Sequence, residues 1–212
     1  MAAVRKLCRR LWVLPVAAMV LTVPVSAKTS YQTYTYSYQG DVQISPNVYT
    51  PLYELSDFGL ELPLDKPQDM VVDKERGRIA IADTGNSRIV VLNTDFQCLQ
   101  ILTDYTDAQG NPVSFKEPQG VFIRDDGMLY VADTGNANIV SFDTSYRQAA
   151  FYPALSASIL PDNFIYSPKA LAVDHTGRMY VISRNTNMGV IALDKEGGFQ
   201  GFIGAQRVSV NP

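Results

Sequence analysis

Short apolar runs, each separated from the next by a turn, recur along residues 67–212. In the first part of this segment the runs are residues 70–72, 79–82 and 89–92, and most of their side chains are β-branched. Such runs are typical of β-strands, whereas an amphipathic helix places apolar side chains about every 3.6 residues. The turn KERG at 74–77 ends in a glycine, which allows the positive φ that tight turns require. The pattern therefore predicts short antiparallel strands joined by tight turns.

This strand pattern occurs three times at nearly constant spacing. Pro67, Pro118 and Pro168 open the copies, and the second strands with their turns read RIAIADTGN, MLYVADTGN and RMYVISRNT. A repeat of about 40 to 50 residues that contains several short strands is typical of the blades of a β-propeller. Both sides of each second strand are apolar, so each sheet requires a neighbouring sheet on either side. We therefore predict an all-β fold, a partial β-propeller of four-stranded antiparallel blades. The expected blades are residues 67–117, 118–167 and 168–212.

The motif YVADTGNANIV at 130–140, a second strand with its turn and the start of a third strand, resembles the NHL repeat. The resemblance extends from residue 67 to residue 203 and implies blades of the NHL type. The third copy departs from the motif, because SRNTNMG at 183–189 lacks the aspartate and is one residue longer. Some propellers that resemble this family are hydrolases or lyases that hold a metal on the propeller axis with histidine and carboxylate ligands.

The repeated D-T-G-N tetrapeptide is predicted to be a structural turn. We expect each aspartate to accept hydrogen bonds from the turn amides that follow it, while glycine and asparagine supply left-handed backbone conformations. The alternative, in which the aspartates are ligands or catalytic acids, stays open. The turn residues are Asp83, Gly85, Asn86, Asp133, Gly135 and Asn136.

Two long connections between the expected blades are candidates for ligand binding. Residues 103–117 and 152–167 exceed the usual hairpin length and combine aromatic, amide and acidic side chains. Long loops on a rigid scaffold often carry binding residues, although they also serve as packing lids. Polar residues just after the opening prolines are expected at the channel mouth, where the inner strands begin. The candidate binding residues are Gln68, Gln119, Lys169, Tyr105, Phe164 and Tyr166.

The sequence favours a binding protein over an enzyme. Its one histidine, His175, lies in the expected turn DHTG, on the face opposite the long loops, and no metal site is predicted there. A nucleophile elbow and a phosphate-binding glycine loop are missing from the sequence, whereas a calcium site of aspartate and backbone oxygens stays open. We expect a non-catalytic binding or assembly scaffold for a protein, peptide or glycan. The alternative is part of a metal-dependent hydrolase or lyase, similar to lactonases, whose ligands lie in further blades.

The first residues are typical of a signal peptide. Four basic residues precede an apolar run at 11–25, and Val25-Ser26-Ala27 matches a cleavage site, so we expect residues 1–27 to be removed and the protein to be secreted. An uncleaved membrane anchor is the alternative. Cleavage removes four of 18 basic residues and none of 21 acidic ones, so the net charge moves from −3 to −7. This charge argues against nucleic acid as a partner. The mature chain keeps Cys98 alone, which excludes an intrachain disulfide.

The Tyr-rich N-terminal extension, residues 28–66, is expected to be separate from the blades. Tyr34, Tyr36 and Tyr38 alternate with polar residues, which predicts an extended strand with one aromatic face. That face either grips a carbohydrate or peptide, or packs on the propeller.

Three blades do not close a ring, since known propellers contain about 4 to 8. The end blades would then expose apolar faces, which natural proteins avoid. We therefore expect the ring to be completed either by further blades of a longer chain or by association of copies.

Overall fold

The computed structural model describes residues 33–46, 58–155, 160, 164–184 and 189–204. The chain divides into two units, residues 1–54 and residues 55–212. None of the helical turns among these residues has the length and apolar character needed to span a bilayer.

The first unit contains a β-hairpin of strands β1 (Tyr34–Tyr36) and β2 (Val42–Ile44). Tyr34 pairs with Ile44 and Tyr36 pairs with Val42, so these four side chains share one face of the hairpin. All four are exposed, and the two tyrosine rings meet edge to face with their centroids 5.7 Å apart. The hairpin therefore presents the aromatic face predicted for this stretch, while Tyr38 lies in the turn.

The second unit contains three four-stranded antiparallel sheets in which each strand pairs with its neighbours in sequence. This arrangement confirms the predicted fold class, a partial β-propeller built of antiparallel blades. The first blade consists of β3 (Asp69–Asp73), β4 (Arg78–Asp83), β5 (Arg88–Asn93) and β6 (Cys98–Leu102). A hairpin of β7 (Asp104–Thr106) and β8 (Pro112–Ser114) follows it. The second blade consists of β9 (Pro118–Ile123), β10 (Leu129–Asp133), β11 (Asn138–Phe142) and β12 (Gln148–Tyr152). The third consists of β13 (Pro168–Val173), β14 (Met179–Ser183), β15 (Val190–Leu193) and β16 (Phe199–Ile203).

Apolar side chains fill the spaces between neighbouring blades. One buried cluster joins Ile89 and Val91 of the first blade to Val131 and Val140 of the second. A second cluster joins the second blade to the third. Strands β4 and β10 are buried along their whole length. Neighbouring sheets cover both faces of β10 as predicted, whereas Phe58, Leu60, Leu64 and Phe96 cover one face of β4. Strand β14 differs, because Ile182 on its outer side is exposed.

Polar bonds at both ends of the strands also hold the first two blades together. On the side of the turn between β3 and β4, the Arg78 guanidinium donates to the carbonyl of Gly127 at 2.8 Å and lies over the Tyr146 ring. On the opposite side, the Thr84 hydroxyl donates to the carbonyl of Pro118 at 2.6 Å. The second and third blades repeat the latter bond, from Thr134 to Pro168, also at 2.6 Å. The repeated threonine therefore fixes each blade to the first strand of the next.

Candidate functional site

The D-T-G-N segments form short 3-10 turns between the second and third strands of the first two blades. The residue in the left-handed conformation is the one after each turn, Ser87 with φ 52° or Ala137 with φ 56°. The expectation that glycine and asparagine supply this conformation is therefore wrong. Glycine is required for another reason, because a Cβ on Gly135 would lie 2.5 Å from the carbonyl oxygen of Lys116. Gly85 has the same close approach to Asp65.

Asp83 binds the chain segment that enters the first blade. Its Oδ1 accepts a hydrogen bond from the amide of Asp65 at 2.7 Å. Its Oδ2 accepts from the Asn86 amide group at 2.9 Å and from Arg88 Nε at 2.6 Å. The partners are thus a distant amide and two side chains, not the turn amides that follow. Asp83 and Arg88 are both buried, so the pair is shielded from water.

Asp133 makes the corresponding contacts in the second blade. Oδ1 accepts from the amide of Lys116 at 2.9 Å, and Oδ2 accepts from the Asn136 side chain at 2.8 Å. The third donor is the hydroxyl of Tyr105, at 2.8 Å. Asn138 occupies the position of the first blade's arginine and donates to the same hydroxyl at 2.7 Å. The second carboxylate is therefore held by neutral donors.

Burial shifts the acid–base properties of this second group. It raises the pKa of the Asp133 carboxyl, and it raises the pKa of the Tyr105 phenol from 10.0 to about 12. Both carboxylates of the repeated turns have donors on each oxygen, so they act as latches between the entering segment and the turn. In the third blade the Ser183 hydroxyl accepts from the amide of Ser167 at 2.8 Å and serves in place of the carboxylate. Residues 185–188 of that turn lie outside the described part of the chain.

The candidate binding residues near the opening prolines differ in exposure. Gln68 and Lys169 are exposed, and the Gln68 amide donates to the carbonyl of Lys66 at 3.4 Å. Gln119 is buried. Two of these three side chains are therefore open to solvent at the start of an inner strand, and the third is not.

The aromatic candidates mostly belong to the core. Tyr105 and Tyr166 are buried, although Tyr105 also lines the groove described below. Each fills the space beside a blade, and burial raises the pKa of Tyr166. Phe164 is half-buried and meets Phe202 of the third blade with ring centroids 6.4 Å apart. The aromatic side chains of these connections pack against the blades, because large apolar side chains are needed to fill the gap between two sheets.

The connection at 103–117 contains an ordered hairpin, and a groove opens beside it. The amide side chain of Gln148 in β12 binds the backbone of Thr106 in both directions, accepting from its N–H at 2.7 Å and donating to its carbonyl at 2.8 Å. The groove has a volume of about 380 Å³. Its lining residues include Gln100, Ile101, Asp104, Thr106, Tyr146 and Gln148.

The sequence indicated one wall of this groove, the connection itself, and missed the other. The outer strands β6 and β12 have a weak apolar pattern, so nothing in it predicted that Gln100 and Gln148 line a groove. The connection at 152–167 is described at 152–155, 160 and 164–167, and its other residues lie outside the described ranges.

The acidic, histidine and cysteine side chains within the described ranges form no group of three or more that could hold a metal. His175 is exposed in its turn, and Cys98 is exposed at the start of β6.

Comparisons with known proteins relate the chain to one repeat family and to several solved structures. The model of the NHL repeat matches residues 64–92. A chain of the nidogen/laminin complex is 19% identical, with a TM-score of 0.50 over 66% of this chain and 48% of that chain. Streptogramin B lyase is 15% identical, with a TM-score of 0.46 over 68% of this chain and 42% of that chain. The WD40 repeats of RRP9 are 15% identical, with a TM-score of 0.49 over 66% of this chain and 39% of that chain. This chain thus spans less than half the length of each. No curated protein matches the sequence.

Proposed function

We propose that this chain, which carries an NHL repeat within a β-propeller segment, is a secreted, non-catalytic scaffold that binds an extended peptide of a partner protein. The proposed binding site is the groove between the β7–β8 hairpin and the outer strands β6 and β12. We include secretion in the proposal because residues 1–27 have the pattern of a signal peptide.

The observation that carries this proposal is the rigid, polar construction of the groove. The two bonds between Gln148 and the Thr106 backbone fix the hairpin against the second blade. A preorganised groove costs less ordering entropy when a ligand binds. The hairpin and the outer strand β12 are therefore held at a fixed separation in the absence of a bound peptide.

The groove also exposes backbone edges. Strand β6 is the last strand of the first sheet and β12 is the last strand of the second, so each has one edge without a strand partner in its sheet. An extended peptide can add to such an edge through main-chain hydrogen bonds, and nearby side chains then select its sequence. Gln100 and Asp104 lie where they would contact such a peptide.

A peptide fits this groove better than a glycan. Glycan sites commonly stack a sugar ring on an open aromatic face. Of the aromatic residues that line this groove, Tyr105 and Phe142 are buried, and Tyr146 has Arg78 over its ring with 5.7 Å from Cζ to the centroid. The carboxylate of Asp104 is exposed and favours a peptide with a basic residue.

Selection from a displayed library of random linear peptides, with the full chain immobilised, tests the proposal. Peptides that enrich are then titrated by fluorescence anisotropy against the wild type and Asp104→Lys. We expect the dissociation constant to rise about tenfold or more in the variant, because the charge that faces the peptide is reversed.

Asp95→Lys is the matched control, since it makes the same charge change at an exposed turn away from the groove. It should change the dissociation constant by no more than about twofold. Hydrogen exchange should also show bound peptide protecting amides of β6 or β12. A library that yields no binder, or binders equally insensitive to both substitutions, would show that the groove is not the binding site.

A further inference from the structure

The outer side of the third blade is an apolar face. Ala170 pairs with Ile182 and Val190 pairs with Ile203, so their side chains lie on one side of the sheet. Ile182 is 51% exposed and Ile203 is 50% exposed. We call this surface the trailing face. Its residues are Ala170, Ala172, Tyr180, Ile182, Val190, Ala192 and Ile203.

The first blade has an apolar face at the opposite end of the row. Met70 pairs with Ile81 and Val72 pairs with Ile79, so these four share one side of the sheet. Met70 is 60% exposed and Val72 is 45% exposed. A cavity of about 400 Å³ opens beside Met70 and Ile81. We call this surface the leading face. Met70 and Val72 are its exposed residues, whereas Ile79, Ile81, Val90 and Leu92 on the same side are buried beneath Phe58, Leu60, Leu64 and Phe96.

Within the chain, faces of these two types pack against each other twice. The position of Met70 corresponds to Val121 in the second blade and Leu171 in the third, and both of these are buried against the preceding blade. The position of Ile182 corresponds to Ala132, which is buried against the following blade. The two end faces are therefore the two halves of an interface that the protein already makes.

The segment before the first blade is arranged as if a preceding blade were present. Asn86 donates to the carbonyl of Pro63 at 2.8 Å, as Asn136 donates to that of Ser114 at 2.9 Å. The residue after Ser114 is Phe115, which is buried between two blades. Leu64, the equivalent residue after Pro63, packs on the first blade alone and also lines the cavity. Phe58 and Leu60 pack on the same cluster, and the cavity beside Met70 is the part of this face that stays open.

Polar groups at the two ends match as well. Inside the chain, Arg78 donates to the carbonyl of Gly127 and lies over Tyr146 of the next blade. Arg178 precedes Met179 as Arg78 precedes Ile79, so it takes the same position on the third blade, where its side chain is exposed. On the first blade, Gly77 and Phe96 take the positions of Gly127 and Tyr146, with φ 60° at Gly77 and φ 61° at Phe96. The corresponding φ angles in the second blade are 90° at Gly127 and 62° at Tyr146.

We propose that two copies of this chain associate head to tail, with the trailing face of each on the leading face of the other. Two copies of the three blades within the described ranges bring together six blades, a number within the range of about 4 to 8 in known propellers. A head-to-tail interface closes into a ring when its rotation allows, and two copies then leave no end face uncovered. A second copy supplies both missing halves at once, in the geometry that the internal interfaces already use.

Sedimentation velocity and light scattering on the mature chain test the proposal over a range of concentrations. We expect the mass of two chains. Ile182→Glu on the trailing face and Met70→Glu on the leading face should each raise the dimer dissociation constant by at least about tenfold, because a charge would enter an apolar interface. Both positions are exposed within one chain, so circular dichroism should show the fold unchanged.

Ile165→Glu is the matched control, because Ile165 is equally apolar and exposed but lies outside both faces. This variant should remain a dimer. A monomer at every concentration would overturn the proposal and indicate that the same chain covers its own faces. Open-ended polymers, or dimers that persist in both face variants, would overturn it equally.

Discussion

The hydroxyl of Tyr105 donates a 2.8 Å hydrogen bond to Asp133, across 28 residues of sequence. In the preceding blade the same carboxylate position is paired with an arginine, Arg88, at 2.6 Å. The protein thus builds one latch with two chemistries, an ion pair in the first blade and a phenol with amides in the second. The hydrogen-bond donors of the second carboxylate are all neutral, and burial raises the pKa of Asp133 although the nearby Lys116 charge acts in the opposite direction.

Tyr105→Phe removes the phenol donor and keeps the ring that fills the space between the blades. We expect the free energy of unfolding to fall by about 1–3 kcal/mol, because a buried carboxylate loses a hydrogen bond. Urea denaturation followed by fluorescence measures the change. Tyr36→Phe is the control, since Tyr36 is exposed in the N-terminal hairpin. Equal stability of the two variants would show that the phenol contributes nothing to the latch.

The same tyrosine makes stability depend on alkaline pH. Burial raises the pKa of Tyr105 from 10.0 to about 12, so the folded state favours the neutral phenol. The resulting stabilisation is complete below the unfolded pKa of 10.0 and is lost as the pH rises through about 12. The wild type should therefore lose more free energy of unfolding than Tyr105→Phe between those two values. Parallel loss in the two proteins, measured by urea denaturation at each pH, would contradict the assignment.

Arg88→Met tests the ion-pair version of the latch. The substitution leaves the buried carboxylate of Asp83 without its cation, so we expect a loss of about 3–5 kcal/mol in the free energy of unfolding. Arg147→Met is the matched control, because Arg147 pairs with Asp143 at 3.0 Å while its side chain is mostly exposed. That pair should contribute about 0–1 kcal/mol. Similar losses from the two substitutions would mean that burial does not distinguish the pairs.

Local patterns were enough to predict the blades. Whether a short segment forms a strand or a turn depends mainly on residues that are close in sequence. Strands β4 and β10 accordingly lie where the apolar runs and glycine turns predicted them. Tandem repetition then indicated how the sheets stack, because each copy must bury the same two faces.

The partners of the repeated aspartates could not be predicted in the same way. Asp83 and Asp133 bind amides 18 and 17 residues away, in segments whose path depends on how two blades pack. The phenol of Tyr105 reaches its acceptor through the same packing, so its sequence neighbourhood indicates only a long aromatic connection. Gln148 was missed for a similar reason, since its bonds to Thr106 cross 42 residues.

Substitutions at Gly135 and Ala137 together test how the repeated turn is built. If Gly135 supplied the left-handed conformation, Gly135→Ala would strain the backbone, and Ala137→Gly would destabilise the protein by adding freedom to the unfolded chain. The structure instead places the left-handed conformation at Ala137, with φ 56°, and leaves no room for a Cβ at Gly135.

Gly135→Ala should therefore lower the free energy of unfolding by about 1–3 kcal/mol through overpacking against the Lys116 carbonyl. Ala137→Gly should change it by no more than about 0.5 kcal/mol, because relief of the left-handed strain offsets the added freedom of the unfolded chain. Urea denaturation of the two variants beside the wild type measures both effects. A harmless Gly135→Ala together with a strongly altered Ala137→Gly would mean that the close approach between the turn and Lys116 does not exist in solution. The carbonyl of Lys116 accepts from the Gly135 amide at 2.8 Å, so hydrogen exchange at this amide should quicken in Gly135→Ala if the contact is the one that breaks.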